Sequence, residues 1–220
     1  MIPRVLVDRA DMPDGSGELR LIRRGDEYSI MLGANELMNS RKSGSEEELA
    51  RIACARLGQA PNVLIGGLGM GFTLRAALAA LGPKAKLVVA ELVPAVVRWA
   101  EGPLAGIFAG SLEDPRVEIV EADVAALIGR GGWDAILLDV DNGPDGLSIA
   151  SNDRLYGAAG LAATKQALRP GGILGVWSAA PDQAFGRRLR QAGFTVEEVQ
   201  ARAGRGGRGG HHMLWFATKR

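Results

Sequence analysis

The sequence predicts an α/β fold: a mostly parallel seven-stranded sheet closed by a C-terminal antiparallel hairpin, with a small N-terminal β-hairpin and helix ahead of it. Three observations carry this expectation. Beyond Pro61, short apolar runs alternate with helical ones in the rhythm of a βαβ series. The apolar runs are continuous rather than alternating, as strands covered on both faces of a parallel sheet are. The last two strands are joined by the glycine-rich stretch 201–210 with no helix, a connection that suits an antiparallel pair better than a parallel crossover.

The elements follow in order. Residues 18–22 and 28–32 alternate polar and apolar around a polar turn and predict a hairpin. Ser45 and Glu48 have the spacing of a capping box ahead of Leu49, Ile52, Ala53 and Leu57, so a helix is expected over 46–57. Strands are then expected at 63–65, 87–90, 117–120, 135–138 and 173–177. Helices are expected at 73–81, 93–101, 124–128, 154–168 and 182–192. Residues 194–200 and 213–217 form the closing hairpin. The division is into an N-terminal piece, 1–58, and a main domain, 59–220.

Composition narrows the function. With 47% apolar and 23% charged residues among 220, the chain has material for one substantial core and is not a disordered tail. The 26 Lys and Arg against 25 Asp and Glu are too balanced for a general polyanion binder, so nucleic acid is not an expected partner. No apolar run approaches the ~18 residues of a membrane span, and residues 1–17 lack a signal-peptide core, so a cytoplasmic protein with no membrane partner is expected. One cysteine, Cys54, and two histidines leave neither an internal disulfide nor a zinc-finger spacing, and no metal is expected. Cys54 and the four tryptophans are read as packing residues. His211 and His212, adjacent on a strand, point to opposite faces.

The 31 glycines, about twice the usual share, concentrate where strands hand over to helices. After the first core strand the chain reads Gly66-Gly67-Leu68-Gly69-Met70-Gly71. Glycines there let the backbone turn sharply and let a ligand approach the amides at a helix N-terminus. Phe72 stands where a dinucleotide loop carries its last glycine, and no Walker-type lysine follows, so a pyrophosphate site is disfavoured. Glu91, Asp123 and Asp139 close successive strands at the carboxyl edge, where open α/β sheets bind ligands. Asp123 reads equally well as the N-cap of the next helix.

Residues 63–71, Glu91, Glu121-Ala122-Asp123 and 134–144 resemble the motifs of class I S-adenosylmethionine-dependent enzymes, which have a Rossmann-like fold. Within that superfamily the chain is most similar to the spermidine synthases, the polyamine aminopropyltransferase-like proteins. The resemblance implies that Gly67, Gly69 and Gly71 pack against the amino-acid or aminopropyl part of S-adenosylmethionine or its decarboxylated form. It implies that Glu91 holds the ribose and Asp123 the adenine, and that Asp139 is the catalytic base. The N-terminal hairpin resembles a piece that helps spermidine synthases dimerise, so a homodimer is one expectation.

The chain departs from that pattern around Asp139-Val140-Asp141-Asn142, one residue shorter between acids, and at Leu37 and Glu46, which fall at the family's polyamine-side glutamine and tyrosine. A sulfonium carries its own leaving group, so the protein mainly aligns a nucleophile and excludes water. An amine acceptor must first lose a proton, and Asp139 is the candidate base, with Asp141 an electrostatic anchor for a second positive charge. The loop 142–152 is long for a βα connection and is read as a lid over a small-molecule acceptor. A transferase is expected, with methyl transfer slightly favoured because the polyamine-side residues differ. Aminopropyl transfer to a polyamine, or a non-catalytic nucleoside-binding homologue, is the alternative. The run 202–208, with three arginines, is read as a mobile hairpin connection rather than an RNA clamp.

Overall fold

A computed structural model describes residues 2–15, 17–140, 143–144, 154–204 and 209–220. Two sheets organise the chain. The first is antiparallel and sequential, formed by β1 (Val5–Asp11), β2 (Glu18–Arg24), β3 (Glu27–Leu32) and β4 (Asn35–Asn39). The expected hairpin is β2 and β3, in register Leu19 to Leu32 through Arg24 to Glu27. Alternation in β2 buries Leu19 and Leu21, which join Ile30 in the core.

The expectation of two strands here falls short by two. β1 escaped the alternation test because it buries almost nothing: Ile2, Val5, Leu6 and Val7 are exposed. It is held by its ladder to β2 and by the Asp8 carboxylate, which accepts from the Trp99 indole N–H at 2.7 Å.

The second sheet has seven strands. It is built from β5 (Asn62–Gly66), β6 (Lys86–Glu91), β7 (Val117–Glu121), β8 (Trp133–Leu138), β9 (Leu168–Ser178), β10 (Phe194–Arg202) and β11 (His211–Lys219), in the order β10-β11-β9-β8-β5-β6-β7. β5 to β9 are mutually parallel. β11 runs antiparallel between β9 and β10, and so completes the expected hairpin. The central strand β5 is buried from Val63 to Gly66, whereas the edge strand β10 buries only Phe194 and Ala201 and leaves most of its other residues exposed.

Helices α1 (Gly44–Cys54), α2 (Phe72–Ala80), α3 (Pro94–Glu101), α4 (Ala105–Phe108), α5 (Val124–Ile128), α6 (Ala158–Ala167) and α7 (Gln183–Gln191) link these strands. Pro94 starts α3, where its missing N–H costs nothing, and the Asp182 carboxylate caps α7 by accepting from Phe185 N–H at 2.9 Å. No described helix is long and apolar enough to cross a membrane.

The capping box expected from Ser45 and Glu48 is absent. Helix α1 starts at Gly44, two residues earlier than expected, its N-cap residue Ser43 makes no side-chain cap bond, and Glu48 pairs with Arg51. The cause is tertiary: Gly44 N–H donates to the Ala203 carbonyl, and a Cβ at Gly44 would lie 2.7 Å from the Arg202 carbonyl oxygen. The start of α1 is therefore clamped to the C-terminal hairpin, and Ser45 and Glu46 turn inward. The helix then packs Leu49, Ala50 and Ala53 into the core shared by both sheets.

Candidate active site

A cavity of about 330 Å³ lies where the small sheet, α1 and the carboxyl edge of the large sheet meet. That volume is in the range of small-molecule sites. It has two ends.

The first end is made by strand termini. β5 ends in the glycine loop, which bends back through positive φ at Gly67 (+90°) and Gly69 (+49°). A Cβ at Gly67 would sit 2.3 Å from the Asp139 carbonyl oxygen, so the loop and the end of β8 approach as closely as glycine permits. Gly67 and Gly69 line the cavity. Gly71 does not: its own Cβ direction meets the Phe108 ring at 2.4 Å, and it serves as the left-handed N-cap of α2. Gly71 therefore stands apart from Gly67 and Gly69, because the chain has already turned into the helix there.

Glu91, at the end of β6, is 8% exposed and lines the same end. Its carboxylate accepts from Leu68 N–H at 3.0 Å and Val93 N–H at 2.9 Å, which ties the glycine loop to the start of α3. Burial raises its pKa, against the pull of those amides. Asp123 is the N-cap of α5, its carboxylate accepting from Ala125 N–H at 2.8 Å, and it also borders the cavity beside Ala122 and Val124.

The second end is assembled from distant segments. Asp139 follows β8, and its carboxylate accepts from the Thr73 hydroxyl at 2.6 Å. Facing the same space is Glu46 of α1, 6% exposed. Burial first, then the nearby Asp139 charge, pushes Glu46 up to about 7, and burial pushes Asp139 up to about 6. The Asp139 charge thus adds to the effect of burial on Glu46, whereas Asp139 is raised by its own burial against the pull of the Thr73 hydroxyl. Trp177 and His212 complete the wall, with Met38 over Gly69 and Lys42 at the rim.

Of the residues expected from sequence, the structure brings Gly67, Gly69, Glu91, Asp123 and Asp139 to one cavity. Asp141, the 205–208 run and the lid positions 142 and 145–152 lie outside the described residues. Sequence reading singled out Glu46 only through the resemblance, as a departure at the polyamine side, and missed that Trp177 and His212 line the cavity. Glu46 left a signal: it lies three residues before Leu49 and seven before Ala53, an acid on the apolar stripe of its helix. Trp177 and His212 left none, since nothing local marks which strand face meets the cavity. His211 is exposed and His212 half-buried, on opposite faces as expected. Cys54 is buried, and burial pushes its thiol up to about 12, so it is an inert core residue. Among the described residues no group of three His, Cys, Asp or Glu is arranged to hold a metal ion.

No family model matches the chain. Its curated homologues are polyamine aminopropyltransferases. It is 32% identical over 190 residues to the polyamine aminopropyltransferase of Mycobacterium tuberculosis, covering 81% of this chain and 35% of that protein. It is 29% identical over 206 residues to polyamine aminopropyltransferase 1 of Streptomyces coelicolor, covering 89% and 36%. The chain thus spans about a third of the length of these relatives. The spermidine synthase of Thermotoga maritima superposes with a TM-score of 0.78 at 20% identity, covering 98% of this chain and 73% of that one. The fold is therefore the Rossmann-like class I methyltransferase fold in its spermidine synthase form.

Proposed function

We propose that this chain is a transferase that moves the aminopropyl group of decarboxylated S-adenosylmethionine to an amine, a polyamine or its precursor. The reading rests on one observation: a single cavity is lined by a glycine loop and Glu91 and by two further buried carboxyl groups, Asp139 and Glu46. Methyl transfer, which the altered polyamine-side residues favoured, gives way to the aminopropyl alternative for two reasons. The curated relatives are aminopropyltransferases, and Glu46, counted as a departure, supplies an acid just where an amine has to be held.

The electrostatics support the choice of donor. Among the described residues the cavity wall carries Glu36, Glu46, Glu91, Asp123 and Asp139 against the one ammonium of Lys42. Such a field attracts a ligand with both a sulfonium and an ammonium and disfavours an added α-carboxylate. The nucleoside would lie along Gly67, Gly69 and Ala122, its ribose hydroxyls donating to Glu91 and its adenine near Asp123. Asp139, held by Thr73, would take the proton from the acceptor ammonium. The free amine then attacks the carbon next to sulfur, the C–S bond breaks with its electron pair going to sulfur, and a neutral thioether leaves. No metal takes part in this scheme.

Calorimetry with the two nucleosides, followed by mass spectrometry of the thioether and the alkylated amine, tests the reading. Tighter binding of the decarboxylated nucleoside, by tenfold or more, and transfer to a diamine are expected. Preference for the carboxylate-bearing form, with a methylated product, would overturn it. The exposed Ile2, Val5, Leu6 and Val7 on the small sheet support a homodimer through that sheet, which sedimentation velocity checks.

A further inference from the structure

Behind the cavity wall, Ser45 is fully buried and joins three side chains from distant parts of the chain. Its Oγ lies 2.5 Å from Glu46 Oε2 and 2.8 Å from His212 Nδ1, and it accepts from the Trp177 indole N–H at 2.9 Å. The Trp177 ring also packs edge-on against the His212 imidazole, centroids 4.7 Å apart, which fixes the imidazole plane.

A hydroxyl has one proton to give and two lone pairs to receive. Trp177 fills one lone pair, so of Glu46 and His212 one must donate to Ser45 while the other accepts from it. Two arrangements satisfy all four groups. In the first, Glu46 is a carboxylic acid donating to Ser45, Ser45 donates to His212 Nδ1, and the imidazole proton sits on Nε2. In the second, Glu46 is a carboxylate accepting from Ser45, and His212 Nδ1–H donates to Ser45. Passing from the first to the second moves the Glu46 proton to Ser45 and the Ser45 proton to Nδ1, and releases the Nε2 proton to water. Atoms and charge balance: one proton leaves, and one carboxylate is left behind. Glu46 at 6% and Ser45 at 0% are buried, and the half-buried His212 is the most exposed of the three.

We propose that Glu46, Ser45 and His212 form an outlet: Glu46 passes its own proton along the path, and its freed carboxylate then takes from nearby Asp139 the proton that Asp139 removed from the acceptor amine, which restores the first arrangement once the imidazole regains its Nε2 proton. The proposal rests on the transfer reading above for the source of that proton. The groups that bias the outlet are few: Asp139 and Glu47 face Glu46, Lys42 faces His212, and α2 and β9 contribute the uncharged Thr73 and Trp177. Burial first, and then the Asp139 charge, keeps a proton on Glu46 to near neutrality. Burial and then the Lys42 charge hold the imidazole below its ordinary value, so that it is neutral and free to relay. In this scheme Ser45 and His212 are positioning residues that act through Glu46.

The test is ¹⁵N spectroscopy of imidazole-labelled full-length protein between pH 6.5 and 8.5 without nucleoside, with H211Q to assign the two histidines. The expected result is a switch of His212 from the Nε2–H to the Nδ1–H tautomer as pH rises, lost in Ser45→Ala and in Glu46→Gln, with its midpoint shifted down in Asp139→Asn. A single tautomer throughout in the unaltered protein, or a switch that survives in Ser45→Ala, would overturn the outlet. Turnover adds a separate reading: Ser45→Ala should lower kcat and leave KM for the nucleoside unchanged, and unchanged kcat overturns the outlet. If the unaltered protein shows the switch and no transfer, the transfer reading fails and the relay stands.

Discussion

The two ends of the cavity differ in how they are made. At the nucleoside end, Gly67, Gly69 and Glu91 come from one β5–loop–α2–β6 stretch, and their contacts are largely backbone: Glu91 is held by two main-chain amides within 23 residues of it. At the acceptor end, Ser45 meets Trp177 across 132 positions and His212 across 167, and the contacts are side chain to side chain. The first end is what a parallel sheet produces wherever a strand runs into a helix. The second exists only because Gly44 is clamped to the C-terminal hairpin. The lesson is that one part of the cavity is built into the architecture, whereas the other is set by a few substitutable side chains.

That contrast is breakable. The largest effect is expected from Asp139→Asn, which removes the proposed base and leaves the neutral amide to bond Thr73: kcat should fall about 10²–10⁴-fold while nucleoside affinity changes little. A parallel collapse of affinity would mean that the two ends are not separable. Glu91→Ala should do the reverse. Losing the ribose acceptor and two bonds to charged carboxylate should weaken nucleoside binding by roughly 1.5–3 kcal/mol, read by calorimetry, with the diamine KM little changed.

The pH dependence of stability probes the acceptor end, with Glu91, also raised by burial, adding in the same direction. Both Glu46, near 7, and Asp139, near 6, bind protons more tightly folded than unfolded. Between about pH 4.5 and 7 the folded state holds more protons, so stability falls as pH rises through that window and levels off above it. Glu46→Gln, which carries no charge to bury, should flatten the fall and raise Tm above that of the unaltered protein at pH 8. A Tm that climbs from pH 5 to 8 would refute the buried pair. The smallest effect is expected from Asp123→Ala: loss of the α5 cap costs about 1 kcal/mol of stability. If the same change also weakens an adenine nucleoside but not its inosine counterpart, Asp123 reads the base as well as capping the helix.

The nucleoside end was legible because its signals are local. Glycines at 67 and 69 are demanded by positive φ and by the approach of Asp139, and an acid at the end of β6 has little freedom of place once the strand is located. Gly71 looked equivalent by spacing and was not, because Phe108, brought in by α4, fills the room beside it. The second and third strands of the small sheet were visible through alternation. β1 was not, having no buried face to print a pattern.

By itself, then, the sequence determined the layered α/β architecture, the closing hairpin and the line of acids along one sheet edge, since hydrophobic period and glycine placement act over a few residues. Tertiary structure alone decided that α1 begins at Gly44 rather than after Ser45, and that Glu46, Ser45, Trp177 and His212 meet. Those depend on a backbone contact between the two ends of the chain, and the energy of such a contact leaves no mark on the residues nearby in sequence.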